Sequence, residues 1–152
     1  MTLAIGEAAP EFSLPNAAGQ TVHLSDLRGQ WVVLYFYPKD MTPGCTTEAQ
    51  EFRDLKEALA AKNAVVLGAS KDSVARHAKF QDKEGLNFCL ISDADADLCE
   101  RYGVWQEKKN YGKTYMGIVR STFLIDPEGK IAKVWTKVKV KGHAQAVFEA
   151  IP

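Results

Sequence analysis

FYPKDMTPGCTTEAQEFRDL, Phe36–Leu55, carries the end of an apolar strand through a Pro/Gly-punctuated turn and straight into an amphipathic helix. Thr42 has the side chain of an N-cap, Pro43 suits the first helical position, and Gly44 leaves the backbone open to a ligand. With Thr42 as the cap, Cys45 is the third helical residue. Unpaired amides and the positive end of the helix dipole favour an anion there, so thiolate is favoured over thiol. An isolated cysteine also suits a small buried apolar position. The Thr-Pro-Gly run ahead of Cys45 tilts the reading towards a reactive thiol.

Working outward, Trp31–Tyr37 (WVVLYFY) is a continuous apolar and aromatic run, the pattern of a strand buried on both faces. Phe52, Leu55 and Leu59 recur at helical spacing and predict a helix from Pro43 to about Ala61. Ala64–Ala69 (AVVLGA) is a second buried strand, and the helix between the two implies a right-handed parallel crossover. Asp72 or Ser73 starts a helix that runs to about Glu84. Phe88–Ser92 (FCLIS) reads as a strand, and Asp93–Asp97 as a polar turn into a short helix, Leu98–Tyr102. Ser121–Ile125 and Ile131–Thr136 flank Asp126-Pro127-Glu128-Gly129 as an antiparallel hairpin, and Gly142–Ile151 closes the chain as a helix. Near the start, Glu11–Leu14 and Thr21–Leu24 flank the Asn16–Gly19 turn, with Ser25 capping one helical turn. Gln106–Gly117 (QEKKNYGKTYMG) shows no clear period and is expected to be a long connection, functional or mobile. The order predicts an α/β, thioredoxin-like fold: a central mixed sheet flanked by helices, with an extra N-terminal β-hairpin.

The 152 residues suit one domain, 1–152. Lys+Arg and Asp+Glu each number 19, and this balance gives no support for broad attraction to nucleic acid or an anionic membrane. No apolar run approaches a bilayer span and the N-terminus lacks a signal-peptide pattern, so a cytoplasmic location is expected. Cys45, Cys89 and Cys99 form no CxxC pair, and His23, His77 and His143 show no metal-ligand spacing with them; neither metal nor other cofactor is expected. Dithiol exchange needs a second cysteine close to the first, and a papain-like hydrolase needs a histidine base in a suggestive context. Neither pattern is present.

Pro38, Thr42 and Cys45 match the Pro-x-x-x-Thr-x-x-Cys signature of the peroxiredoxins, and YFYPKDMTPGCTTEA resembles the subgroup called bacterioferritin comigratory protein or peroxiredoxin Q. GKTYMGIVRSTFLIDPEGKI is similar to the segment that carries that subgroup's active-site arginine, and the resemblance covers nearly the whole chain. It implies a thiol peroxidase for hydrogen peroxide and organic hydroperoxides. Cys45 would be the peroxidatic cysteine, with Thr42 and Arg120 completing its site and Pro38 shielding it. Glu48, one turn beyond Cys45, either orients Arg120 through a charge-assisted pair or is an exposed acid near a helix start.

Lowering a thiol pKa from about 8.5 to about 6 raises its thiolate fraction at neutral pH roughly 30-fold, but costs roughly 13-fold in nucleophilicity. The net gain is only about twofold, so most of the acceleration must come from donors aimed at the leaving oxygen: the Arg120 guanidinium, the Thr42 hydroxyl and amides near Gly44–Cys45. Many members of the subgroup carry a resolving cysteine five residues after the peroxidatic one, or in the helix corresponding to Ser73–Glu84. Here Gln50 stands at the first place and the second has none. The favoured expectation is a single-cysteine cycle restored by thioredoxin, glutaredoxin or glutathione. The alternatives are a Cys45–Cys99 disulfide formed after local unfolding, and a peroxide sensor that passes oxidation to a partner. The resemblance suggests a monomer.

Overall fold

The computed structural model describes residues 3–152. Its elements are β1 (Ser13–Pro15), β2 (Thr21–His23), a 3-10 turn (Leu24–Leu27), β3 (Trp31–Phe36), α1 (Pro43–Asp54), α2 (Lys56–Ala61), β4 (Ala64–Ser70) and α3 (Val74–Glu84). There follow β5 (Cys89–Ser92), α4 (Leu98–Arg101), β6 (Trp105–Asn110), β7 (Lys113–Ile118), β8 (Ser121–Ile125), β9 (Ile131–Trp135) and α5 (His143–Ala150). The central sheet runs β5-β4-β3-β8-β9, with β3, β4 and β5 parallel and β8 and β9 antiparallel to their neighbours. This is the expected mixed α/β sheet, and β1–β2 is the expected extra hairpin.

WVVLYFY becomes the middle strand because both of its faces are covered. Val32, Leu34 and Phe36 enter one apolar cluster, with Ile91, Cys99, Tyr102 and Phe123. Val33, Tyr35 and Tyr37 enter the other, with Cys45, Phe52, Phe80 and Val147. Alternate residues of a strand point to opposite faces, so Cys45 and Cys99 lie on opposite sides of the sheet. An isolated bridge from Asn16 to Ile91 lays the N-terminal hairpin along β5, shielding an edge that would otherwise offer unpaired backbone groups.

Two expectations are corrected. The helix expected to run from Pro43 to Ala61 is two pieces. The chain leaves helical geometry at Leu55 (φ −95°, ψ 4°), whose N–H reaches the Phe52 carbonyl, so α2 is offset from α1. The stretch expected to be a connection, Gln106–Gly117, lies almost wholly in the hairpin β6–β7. Tyr111 (φ 52°) and Gly112 (φ 76°) both take the left-handed conformations that a tight two-residue hairpin turn requires. Most of the hairpin's side chains are exposed, so neither strand shows the buried alternation by which a strand is recognised.

Gly68 on β4 is where the packing tolerates least. A Cβ there would lie 2.9 Å from both Leu90 Cδ2 and Tyr35 Cζ. We expect Gly68→Ala to lower the unfolding free energy by about 1–3 kcal/mol in a denaturant titration, the usual cost of overpacking a full core. A variant as stable as the parent would contradict this description of the core.

Candidate active site

Two segments far apart in sequence meet at the C-terminal end of β3. The antiparallel register of β3 and β8 pairs Phe36 with Ser121, so Arg120 emerges opposite Tyr37, beside the loop that feeds α1. On that helix Pro43, Gly44 and Cys45 occupy the first three positions. The first helical hydrogen bond is made by the Thr46 N–H to the Thr42 carbonyl, at 2.9 Å. The Gly44 and Cys45 amides precede it and belong to the unpaired first turn.

Arg120 joins the pieces. Its Nη2 donates to Cys45 Sγ at 3.3 Å and its Nη1 donates to Glu48 Oε1 at 2.5 Å. Cys45 and Glu48 are 2% and 1% exposed, so the sulfur and the carboxylate are shut off from bulk water, while the Arg120 side chain between them keeps 16% of its surface exposed. Of the two readings of Glu48, the structure has the buried acid paired with Arg120, three residues on from Cys45 and on the same helix face. Burial pushes the Glu48 carboxyl up to about 7, against the pull of Arg120. For Arg120 burial works towards loss of charge, but Glu48 and Cys45 together hold its pKa above the ordinary value. Among the described residues, Glu48 Oε2 and the Tyr35 hydroxyl are buried with no hydrogen-bond partner.

Thr42 has the extended backbone of a cap residue, but its hydroxyl does not cap α1. With Met41 at a left-handed φ of 64°, the Lys39 carbonyl lies within reach, and Thr42 Oγ1 donates to it at 2.8 Å. The hydroxyl proton is thus committed, which corrects the expectation that Thr42 donates to the leaving oxygen: its free lone pairs are left to accept. Pro38 sits exposed on the same loop. A Cβ on Gly44 would stand 3.3 Å from Arg120 Nη2, so the missing side chain lets the guanidinium close on the sulfur.

The other two cysteines are also free thiols. Cys99 is fully buried in the opposite cluster, and burial, with Asp93 next in effect, drives its pKa far upward. Gln50 Nε2 donates to Glu84 Oε1 at 2.8 Å, tying α1 to the end of α3.

Sequence reasoning missed the network that holds the loop before Cys45. Tyr37 donates its hydroxyl to Asp40 Oδ1, and Asp40 Oδ2 lies 2.6 Å from His77 Nδ1 on α3. His77 Nε2 donates to the Ile91 carbonyl at 2.9 Å. The Asp40 amide donates to Asp72 Oδ2 at 2.8 Å, and Arg76 reaches the Asp40 carbonyl. Nothing in the local pattern links Asp40 to a histidine so far along the chain. Asp40, Asp72 and His77 bring ligand-type atoms within 4.8 Å of one another. Each is already engaged by a protein partner: Asp72 also takes the Ser70 hydroxyl and the Arg76 guanidinium.

The chain matches the AhpC/TSA family over residues 5–134. It is 53% identical to Peroxiredoxin Bcp of Bacillus subtilis over 99% of this chain and 96% of that protein. It is 48% identical to Peroxiredoxin Bcp of Escherichia coli K12, over 96% and 94% respectively. Among solved structures it superposes on the bacterioferritin comigratory protein of Xanthomonas campestris, studied for its alkyl peroxide reduction activity, with a TM-score of 0.90. That match has 45% identity and covers 98% and 95% of the two chains.

Two outcomes follow from the ion pair. Glu48 binds its proton more readily when folded, about 7 against 4.5, so its contribution to stability is whole below about 4.5 and is lost as pH rises towards 7. His143 behaves oppositely. Burial, aided by Arg120, lowers it from 6.5 to about 4, so its contribution is whole above 6.5 and is lost as pH falls towards 4. Glu48→Gln keeps only the histidine slope and is expected to gain stability on the parent as pH rises through this window, measured by urea unfolding on either side of it. Gly44→Ala is expected to slow oxidation of Cys45 by peroxide about tenfold or more by displacing Arg120 a few tenths of an ångström. Stopped-flow fluorescence checks it.

Proposed function

Since this chain belongs to the AhpC/TSA family, among its peroxiredoxins, and is a thiol peroxidase that reduces hydroperoxides, we propose that Cys45 is its peroxidatic residue and that the sulfur works in a single-cysteine cycle. The observation that carries this is Arg120 spanning the Cys45 sulfur and the Glu48 carboxylate at the first turn of α1. The thiolate attacks one oxygen of the peroxide in line. A sulfur–oxygen bond forms as the oxygen–oxygen bond breaks, and the other oxygen leaves as alkoxide or hydroxide, taking up a proton to become alcohol or water.

The growing charge on the leaving oxygen is met by Arg120 and the amides of Gly44 and Cys45, in a site that water scarcely enters. Thr42, its own proton directed at the Lys39 carbonyl, accepts a hydrogen bond from the peroxide O–H and so sets which oxygen faces the sulfur, the hydrogen staying on that oxygen as it becomes the sulfenic acid. Glu48 is a positioning residue that keeps the guanidinium turned towards the sulfur. Pro38 shields the approach from the loop side.

The single-cysteine reading is supported by the placing of the thiols. Cys45 and Cys99 are separated by the sheet, and Gln50 fills the position next turn along α1 with a link to Glu84. A Cys45–Cys99 bridge would require the core to open from both sides. The sulfenic acid is therefore reduced by an outside thiol, such as thioredoxin, glutaredoxin or glutathione. We read the protein as a cytoplasmic monomer; among the described residues no helix is long and apolar enough to cross a membrane.

Arg120→Met is expected to lower the second-order rate of Cys45 oxidation by about 10²-fold or more beyond any change in thiolate content, the usual loss for a donor to a developing oxyanion. Ultraviolet absorbance of the thiolate, followed beside stopped-flow kinetics, separates the two; proportional losses would refute the role. Cys45→Ser is expected to abolish turnover. After one equivalent of hydrogen peroxide, intact-mass and peptide spectra should show sulfenic acid at Cys45. A Cys45–Cys99 bridge in good yield would overturn the cycle.

A further inference from the structure

A groove of about 360 Å³ runs between the loop after β3 and the hairpin β6–β7. Pro38 and Lys39 form one wall, Lys108, Tyr115 and Met116 the other, with Lys71 between them. It lies beside the active site: Pro38 on its wall opens the loop that leads to Thr42 and Cys45, and Ile118 in its lining stands two residues before Arg120. Gly117 helps to set Lys108 there, since a Cβ on it would stand 3.2 Å from Lys108 Cδ. The groove has the size and mixed lining of a small-molecule site.

Its charge is unbalanced although the chain as a whole is neutral. Lys71 is matched by Asp93 at 3.2 Å and Glu100 at 2.9 Å. The acid in the lining, Asp72, is already taken by the Asp40 amide, Ser70 and Arg76. Lys39 and Lys108 have no ion-pair partner among the described residues. Two free ammonium groups therefore flank an apolar surface made by Tyr115 and Met116, which are 47% and 50% exposed. That combination suits an anion with an apolar body.

The burial of Cys45 narrows the occupant. A thiol mounted on a folded partner could reach a sulfur only 2% exposed after α1 unwinds, whereas a small thiol needs no more than a side-chain-sized opening beside the loop. We propose that this groove docks the reductant, a small thiol carrying carboxylates, of the peptide-thiol class, whose carboxylates pair with Lys39 and Lys108 while its sulfur points at Cys45. The inference rests on the single-cysteine cycle. In the first step the small thiol attacks the Cys45 sulfenic acid, a disulfide bond forms, the sulfur–oxygen bond breaks, and the hydroxyl leaves with the thiol proton as water. A second molecule then attacks the outer sulfur of that mixed disulfide. The two small thiols depart joined as a disulfide, having supplied two electrons, and Cys45 is released as thiolate beside Arg120.

The test follows reduction of the preformed Cys45 sulfenic acid by glutathione and by uncharged 2-mercaptoethanol, each rate corrected for its thiolate fraction. Their ratio within one protein is independent of how fast peroxide acted. The expected ratio is about tenfold or more at low salt, in the range that a focused charge supplies, and it falls towards one at about 1 M salt. Lys39→Glu/Lys108→Glu is expected to abolish the preference, and Lys39→Gln/Lys108→Gln to reduce it, which guards against a folding defect in either. A ratio near one in the parent, or one unmoved by charge reversal, overturns the proposal. So does turnover sustained by thioredoxin when neither small thiol reduces the protein, a result that leaves the single-cysteine cycle intact. A Cys45–Cys99 bridge in the oxidised protein would instead overturn the cycle and the groove's role with it.

Discussion

Arg120 shared between a buried carboxylate and a buried sulfur is the contact on which the rest of the structure depends. Neither end would be stable alone. A carboxylate only 1% exposed and lacking its cation would be neutralised or would force the helix outward. A guanidinium facing only the sulfur would swing towards water. The β3–β8 register places Arg120 within reach, and the first turn of α1 presents Cys45 and Glu48 to it on one face. Burial then serves the chemistry, because charges meeting in a dry site interact more strongly than in water. The stability lost in burying Glu48 is part of what a preorganised site costs.

That arrangement requires the loop between β3 and α1 to be rigid. Rigidity comes from Tyr37, Asp40 and His77, all buried and bonded to one another, with Asp72 and Arg76 fastening the loop backbone to the start of α3. Met41 can then be held in a left-handed conformation, and the Thr42 hydroxyl turned to Lys39. The loop is thus anchored to the same helix whose far end is tied to α1 through Gln50. Interlocked hydrogen bonds among buried polar groups fix one geometry, where apolar packing would tolerate several.

Much of this was legible in the sequence, for physical reasons that differ from part to part. Continuous apolar strands declare themselves because both faces are buried, and so β3, β4 and the crossover were readable from WVVLYFY and AVVLGA. The place of Cys45 in the first turn of α1 was readable because Thr42, Pro43 and Gly44 precede it in order, although the Thr42 hydroxyl turns to Lys39 and makes no cap. Arg120 was legible only through resemblance, since a lone arginine before a strand is ordinary, and its meeting with Glu48 depends on a strand register that no local pattern encodes. β6–β7 escaped because a hairpin lying on the surface hides its period. The end of α1 at Leu55 was also missed, as the apolar spacing continues unbroken across the offset. The Asp40–His77 pair was invisible for a third reason: a long-range contact between two polar residues leaves no mark on hydrophobic periodicity.

Whether Glu48 acts through Arg120 is decided most directly by a double-mutant cycle on the second-order rate of Cys45 oxidation, using Glu48→Gln, Arg120→Lys and the pair together. If the carboxylate works only by holding the guanidinium, the double variant should be no slower than Arg120→Lys alone. Losses that simply add would mean that the two side chains act on the sulfur independently, and would contradict the account.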